Sequence, residues 1–120
     1  MGRYVDGYVL PLPKKNIEAY RKQATEAGTV WKEHGALAYV ECIAEDVKPG
    51  KLTSFPQAVK LEPDETVIFA WVVYESRAER DRINAAVMQD PRLGGMMNAD
   101  AMPFDGKRMF WGGFELFVEA

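Results

Sequence analysis

The chain is short of the side chains that most often carry chemistry. Among its 120 residues there is one cysteine, Cys42, and one histidine, His34. A single thiol closes no internal disulfide, which fits a reducing compartment. A zinc site draws on about three or four Cys, His or carboxylate ligands. One Cys and one His without C-x-x-C or H-x-x-x-H spacing give no such set, so no metal or other cofactor is expected. The serines are Ser54 and Ser76. Ser76 with Glu79 three residues on reads as a capping box, which leaves little for a Ser-His-Asp arrangement. No apolar run approaches the ~18 residues of a membrane span, and Met1-Gly2-Arg3-Tyr4 leads into a strand pattern with no apolar leader. A soluble, cytoplasmic protein is expected, with no membrane partner. An excess of cations is also missing: 15 Lys and Arg stand against 18 Asp and Glu, for a net charge of −3. The two signs are interleaved, so nucleic acid is not an expected partner. Pro49-Gly50-Lys51 and Gly94-Gly95 match neither G-x-x-x-x-G-K-S/T nor G-x-G-x-x-G and read as turns.

What is present is an ordinary globular composition, 48% apolar and 28% charged, in a length that suits one domain over residues 1–120. Arg3 to Pro11 alternates as a strand, with Pro11 and Pro13 stopping it. Lys14 to His34 reads as a helix whose stripe is Ile17, Tyr20, Ala24, Ala27 and Trp31. Asn16 is placed to cap it and Gly35 to end it. Ala36 to Ala44 alternates again. Asp46 to Glu65 is irregular and long for a connection, with a short helical turn expected at Phe55 to Val59 packing over the sheet. Thr66 to Glu75 is apolar on both faces, as a central strand covered on both sides would be. Ser76 to Met88 is a second helix with Ile83, Ala86 and Val87 inward. Asp90-Pro91 ends it and opens a short helix carrying Leu93, Met96 and Met97. Lys107 to Glu119 is the last strand. The Arg77, Arg80, Arg82 and Arg92 group is broken up by Glu79, Asp81 and Asp90 and reads as a solvated face.

The order is βαββαβ, an α+β ferredoxin-like sandwich: a four-stranded antiparallel sheet with two helices on one face, because each crossover is right-handed. Val5, Val9, Val40 and Phe114 are expected to meet the helices, along with the small-residue face that includes Cys42, which makes that thiol inert. Tyr8, Tyr39, Trp71, Met109, Trp111 and Phe117 are then expected on the opposite face. An aromatic patch of that size marks an interface, and a two-fold homodimer is the commonest cover. Two such sheets close toward a barrel with a cavity between them.

Six stretches carry a family resemblance: Tyr4-Val5-Asp6-Gly7, Trp31-Lys32-Glu33-His34-Gly35-Ala36-Leu37, Val47-Lys48-Pro49-Gly50-Lys51, Ser76-Arg77-Ala78-Glu79-Arg80-Asp81, Asp90-Pro91-Arg92, and Met102-Pro103-Phe104-Asp105-Gly106-Lys107-Arg108-Met109. On these the chain resembles the YbaA-like bacterial proteins. That resemblance implies a protein of unknown function with the dimeric α+β barrel fold, and it supplies no catalytic residues.

Asp6 and Glu41 sit within strands on the face assigned to the cavity. A carboxylate in an apolar cavity works as an acid or base near neutrality; the alternative is a structural carboxylate paired with Arg3 or Arg108. Glu115 is a candidate of the same kind. His34 is either a general base or a cation at a helix C-terminus. Tyr8, Trp71, Met109 and Trp111 either line a pocket for a small apolar or aromatic ligand or fill a dimer core. Three functions follow. One is a homodimer that binds a small molecule. The second is a cofactor-independent monooxygenase or isomerase acting on an aromatic or polyketide-like compound, with Asp6, Glu41 or His34 handling the proton; it rests on analogy to other dimeric α+β barrels. The third is a purely structural dimer.

Overall fold

The computed structural model describes residues 2–94 and 102–120. β1 (Tyr4–Pro13) is the strand the sheet is built on. It runs through Pro11 to Pro13 rather than stopping at Pro11. β4 (Phe110–Glu115) pairs with β1 only as far as Val9. Beyond that point one edge of β1 is unpaired, so a proline's missing N–H costs no ladder bond there.

A short 3-10 turn, Lys14–Asn16, leads into α1 (Ile17–Glu33). Asn16 does not cap it: its amide nitrogen donates to the Pro103 carbonyl at 2.7 Å instead. The chain leaves α1 through Gly35 at φ +120°, a conformation that glycine adopts without strain. β2 (Ala38–Ile43) follows. The expected turn over the sheet is present as α2 (Phe55–Ala58), with the Ser54 hydroxyl accepting from the Gln57 N–H at 3.1 Å. β3 (Glu65–Tyr74) leads to α3 (Arg77–Gln89), where Ser76 accepts from the Glu79 N–H at 3.1 Å as the capping pattern requires. α4 (Pro91–Gly94) carries the buried Leu93; Met96 and Met97 lie outside the described residues. β4 ends at Glu115, short of the expected Glu119, and Phe117 beyond it is exposed.

The four strands form one sheet in the order β2-β3-β1-β4, each neighbouring pair antiparallel. This is the expected ferredoxin-like α+β topology. Among the described residues no helix is long and apolar enough to cross a membrane.

The register corrects which face meets the helices. Tyr4, Asp6, Tyr8, Leu10 and Leu12 of β1 share a face with Ile68, Ala70, Val72 and Tyr74 of β3, with Tyr39, Glu41 and Ile43 of β2, and with Trp111 and Gly113 of β4. That face packs under α1 and α3: Tyr4, Val72 and Tyr74 cluster with Val30, Ile83 and Val87. Val5, Val9, Val40, Cys42 and Phe114 take the other face, the reverse of the expectation; Phe69, Trp71 and Phe110 lie there with them. Both faces are apolar, so alternation separates the two sets without saying which one the helices cover. The helices take the face that carries polar atoms because their own inward residues supply the partners. At one end of the outer face, Val59 packs on Val9 and Val67, and Phe55 packs edge-on against Phe69. The irregular segment therefore covers part of the sheet. The remainder leaves Phe69, Phe110 and Phe114 exposed.

Candidate functional site

Two polar constellations lie between the sheet and the helices. The first is built on Asp6, which has no solvent exposure. Arg80 of α3 meets it through Nε at 3.0 and 3.1 Å and through a terminal nitrogen at 3.0 Å, and Asn84, one turn on, donates at 3.4 Å. The Asn84 oxygen accepts from the Tyr74 hydroxyl and from the Trp31 indole, each at 3.1 Å. The guanidinium lies 5.1 Å from the Tyr4 ring centroid and 5.7 Å from that of Trp111, a cation–π arrangement on two faces. The bond to Asp6 raises the pKa of Arg80 further, so it stays charged. Gly113, opposite Asp6 in the ladder, makes the room: a Cβ there would stand 2.4 Å from the Tyr4 hydroxyl and 2.6 Å from an Arg80 nitrogen. Arg80 is thus a buried partner and not part of a solvated face. Asp6 meets neither Arg3 nor Arg108, which pair with Glu119 and Glu65.

The second constellation is built on Glu41. β2 turns this carboxylate toward α1, where the Tyr20 hydroxyl donates to Oε1; Tyr39, two residues back on the same strand face, donates to Oε2 at 2.7 Å. The approach of α1 to β2 depends on Gly28, where a Cβ would stand 2.8 Å from the Tyr39 ring. Burial first, then the charge of Glu41, holds both phenols well above the ordinary tyrosine range, so they remain donors. Tyr8 is raised as well, chiefly by burial and then by Asp6.

Beside Glu41 is a pocket of about 200 Å³, walled by Tyr8, Tyr20, Trp31, Tyr39, Phe104 and Met109, among others. Tyr20 and Phe104 meet edge to face at 5.8 Å, Trp31 and Tyr39 tilt together at 5.8 Å, and Tyr8 stacks on Trp111 at 5.9 Å. An open groove of about 650 Å³ runs along the outer side of α1 and β2 and shares Tyr20, Ala24, Tyr39 and Glu41 with the pocket. Glu41 therefore stands in the wall between them.

Of the residues singled out in the sequence, Tyr8, Glu41 and Met109 come together in this pocket and Trp111 backs it through Tyr8. Trp71 also borders the pocket, but it belongs to the outer face by register and its ring lies 5.5 Å from that of Phe69. The structure does not bring Asp6, Glu115 or His34 there. Asp6 is taken up by Arg80 and Asn84. Glu115 is exposed at the end of β4. His34 pairs with Asp90 at 2.9 Å, past the end of α1; Arg92 and then His34 hold that Asp90 carboxyl far below the usual range. Sequence reasoning left out Tyr20, Trp31, Tyr39 and Phe104. The signal for the first two was their place on the inner stripe of α1: a hydroxyl and an indole N–H facing a strand that carries a carboxylate. Among the described residues no group of three or more His, Cys, Asp and Glu converges as metal ligands do.

Comparison with known proteins gives a family and a fold. Over 117 residues the chain is 47% identical to the uncharacterized protein YbaA of Escherichia coli K12, covering 98% of each, and the same identity and coverage hold for YbaA of Shigella flexneri. A solved dimeric ferredoxin-like protein from an uncultured marine organism superimposes with a TM-score of 0.64 at 11% identity, covering 100% of both chains. A NIPSNAP family protein of unknown function from Agrobacterium tumefaciens C58 does so at 0.61 and 16% identity, covering 96% of this chain and 88% of that one. At these identities the two structures show the fold alone. A family described as a protein of unknown function, DUF1428, matches residues 3–106, and the chain belongs to that family.

Proposed function

We propose that the chain is a small-molecule-binding protein that pairs sheet to sheet as a homodimer, with its ligand under α1 rather than between the two sheets. The observation that carries this reading is the Glu41 pocket: one carboxylate, held by two phenols, in a wall of aromatic rings. Binding sites are mostly apolar hollows with a few placed polar groups, and this hollow has that composition. Its volume of about 200 Å³ is below the roughly 300–1,000 Å³ of drug-sized sites and above the roughly 150 Å³ that holds benzene. A single ring with a short polar arm fits that size. Pairing is supported by the exposed Phe69, Phe110 and Phe114 on the outer face, a patch of the kind that marks an interface. A solved protein of the same fold is described as dimeric.

Native mass spectrometry of the untagged protein tests both parts. The expected species is a dimer that takes up added mass when 2-phenylethanol is supplied at millimolar concentration. A monomer contradicts the pairing. A chain that takes up no mass contradicts the pocket.

A further inference from the structure

We infer that the Glu41 pocket selects a small organic cation, an amine or alkylammonium on an apolar body, over neutral and anionic molecules of the same shape. This rests on the reading of the hollow as a binding site and goes on to name the chemistry of its occupant.

Three observations converge. First, among the described residues the pocket wall carries one formally charged group, Glu41, and no lysine or arginine. Second, no cation among the described residues pairs with Glu41. The cations that share the outer groove with Glu41 are engaged elsewhere: Arg21 with Glu18 at 3.3 Å, and Lys32 with the Leu37 carbonyl at 2.9 Å. The Arg80 guanidinium belongs to Asp6. An ionised carboxylate accepts about four hydrogen bonds, and Tyr20 and Tyr39 supply two, one on each oxygen. Acceptor capacity and negative charge are both left over. Third, the remaining wall offers Tyr8, Tyr20, Trp31, Tyr39 and Phe104. Aromatic faces attract a cation through their quadrupole, and rings gathered about one point are how proteins hold alkylammonium groups. A neutral ligand would leave the carboxylate half-satisfied. An anionic one would be repelled by it.

The test is isothermal titration of the unaltered protein near pH 7.5 with three probes of one shape: 2-phenylethylamine, 2-phenylethanol and 3-phenylpropionate. The amine is expected to bind at least about tenfold more tightly than the alcohol, the size of a desolvated cation–π and carboxylate contact, and the carboxylate probe least well. In Glu41→Gln that preference for the amine over the alcohol should disappear. The probe series on the unaltered chain stands without the variant, should the variant fold poorly. Equal binding of amine and alcohol overturns the cation and leaves the pocket standing. Preference for 3-phenylpropionate also overturns it. If none of the probes binds, the pocket itself is refuted and the inference falls with it.

Discussion

Replacing Asp6 by Asn removes the counter-charge of a guanidinium that is itself only 13% exposed in its side chain. Asn keeps the size and one acceptor, but its amide turns a donor toward the donors of Arg80 or Asn84. Breaking a buried pair from one side costs about 3–5 kcal/mol, because the surviving charge stays in a low-dielectric site. Arg80 retains Asp81 at 2.9 Å and the faces of Tyr4 and Trp111, so the lower end, about 3 kcal/mol, is expected. Against the roughly 5–15 kcal/mol of a typical domain that is a large share. For a chain of this length it is a fall of about 12 °C in Tm. Urea unfolding followed by tryptophan fluorescence measures it. Arg80→Met alone strands Asp6 at zero exposure and costs as much or more. Asp6→Asn combined with Arg80→Met has no buried charge left, and the double variant should lose well under the sum of the singles, since apolar replacement of a buried pair is often close to neutral. A single-variant loss below about 1 kcal/mol, or strictly additive losses, refutes the account of Asp6 as the sheet's anchor to α3.

Adjacent glycines give a second check. Gly113→Ala drives a Cβ into Tyr4 and Arg80 and should cost about 1–3 kcal/mol, whereas the Cβ of Gly112→Ala meets only the Phe114 ring at an ordinary 3.6 Å and should be neutral or slightly stabilising in the same urea titration. Acid stability follows from Glu65, whose carboxyl the bidentate Arg108 holds below the ordinary range. A depressed carboxylate contributes fully above its unfolded value of about 4.3 and loses that contribution as pH falls through its lower folded value. Asp90 and Asp105, paired with Arg92 and Arg108, act in the same direction. Stability should therefore hold from neutrality to about pH 5 and fall below about pH 4.3, and Glu65→Gln should be the weaker protein at pH 7 with the gap narrowing in acid; a gap that widens refutes the pairing. On the outer face, Phe114→Glu should give a folded monomer by light scattering, and an unchanged dimer moves the interface elsewhere.

The strand and helix order was legible because alternation in Tyr4–Leu10, the unbroken apolar run Val67–Tyr74 and the three-four spacing from Ile17 to Trp31 leave little choice of element. Capping at Ser76 was legible for the same local reason. The orientation of the sheet was not, since two apolar faces satisfy alternation equally. Yet the clue stood in α3. Arg80, Ile83, Asn84 and Val87 fall at i, i+3, i+4 and i+7, one helical face. Two polar residues on an inward stripe demand partners on the sheet. Asp6 is such a partner, and it brings Tyr4, Tyr8 and the rest of its parity under the helices. Reading Arg80 with its charged neighbours Glu79 and Asp81, rather than with Ile83, concealed this. The pocket was half legible. Tyr8 and Glu41 were found because they stand out along strands, and Met109 because it directly precedes one, while Phe104 comes from an irregular segment whose path no periodicity fixes. Tyr39 was placed on the same face as Glu41 but passed over as packing.

Where a ligand sits decides the account most directly. Titrating 2-phenylethanol into protein labelled at alanine, leucine, valine and methionine methyl groups and recording the methyl spectrum compares the two faces of the sheet in one experiment. The account predicts shifts among the methyls that line the pocket, Leu10, Ala24, Ala27, Ala70, Met102 and Met109 above all, with Val5 and Val9 unmoved. Shifts at Val5 and Val9, with Ala24 and Met109 silent, would put the ligand on the outer face and contradict it.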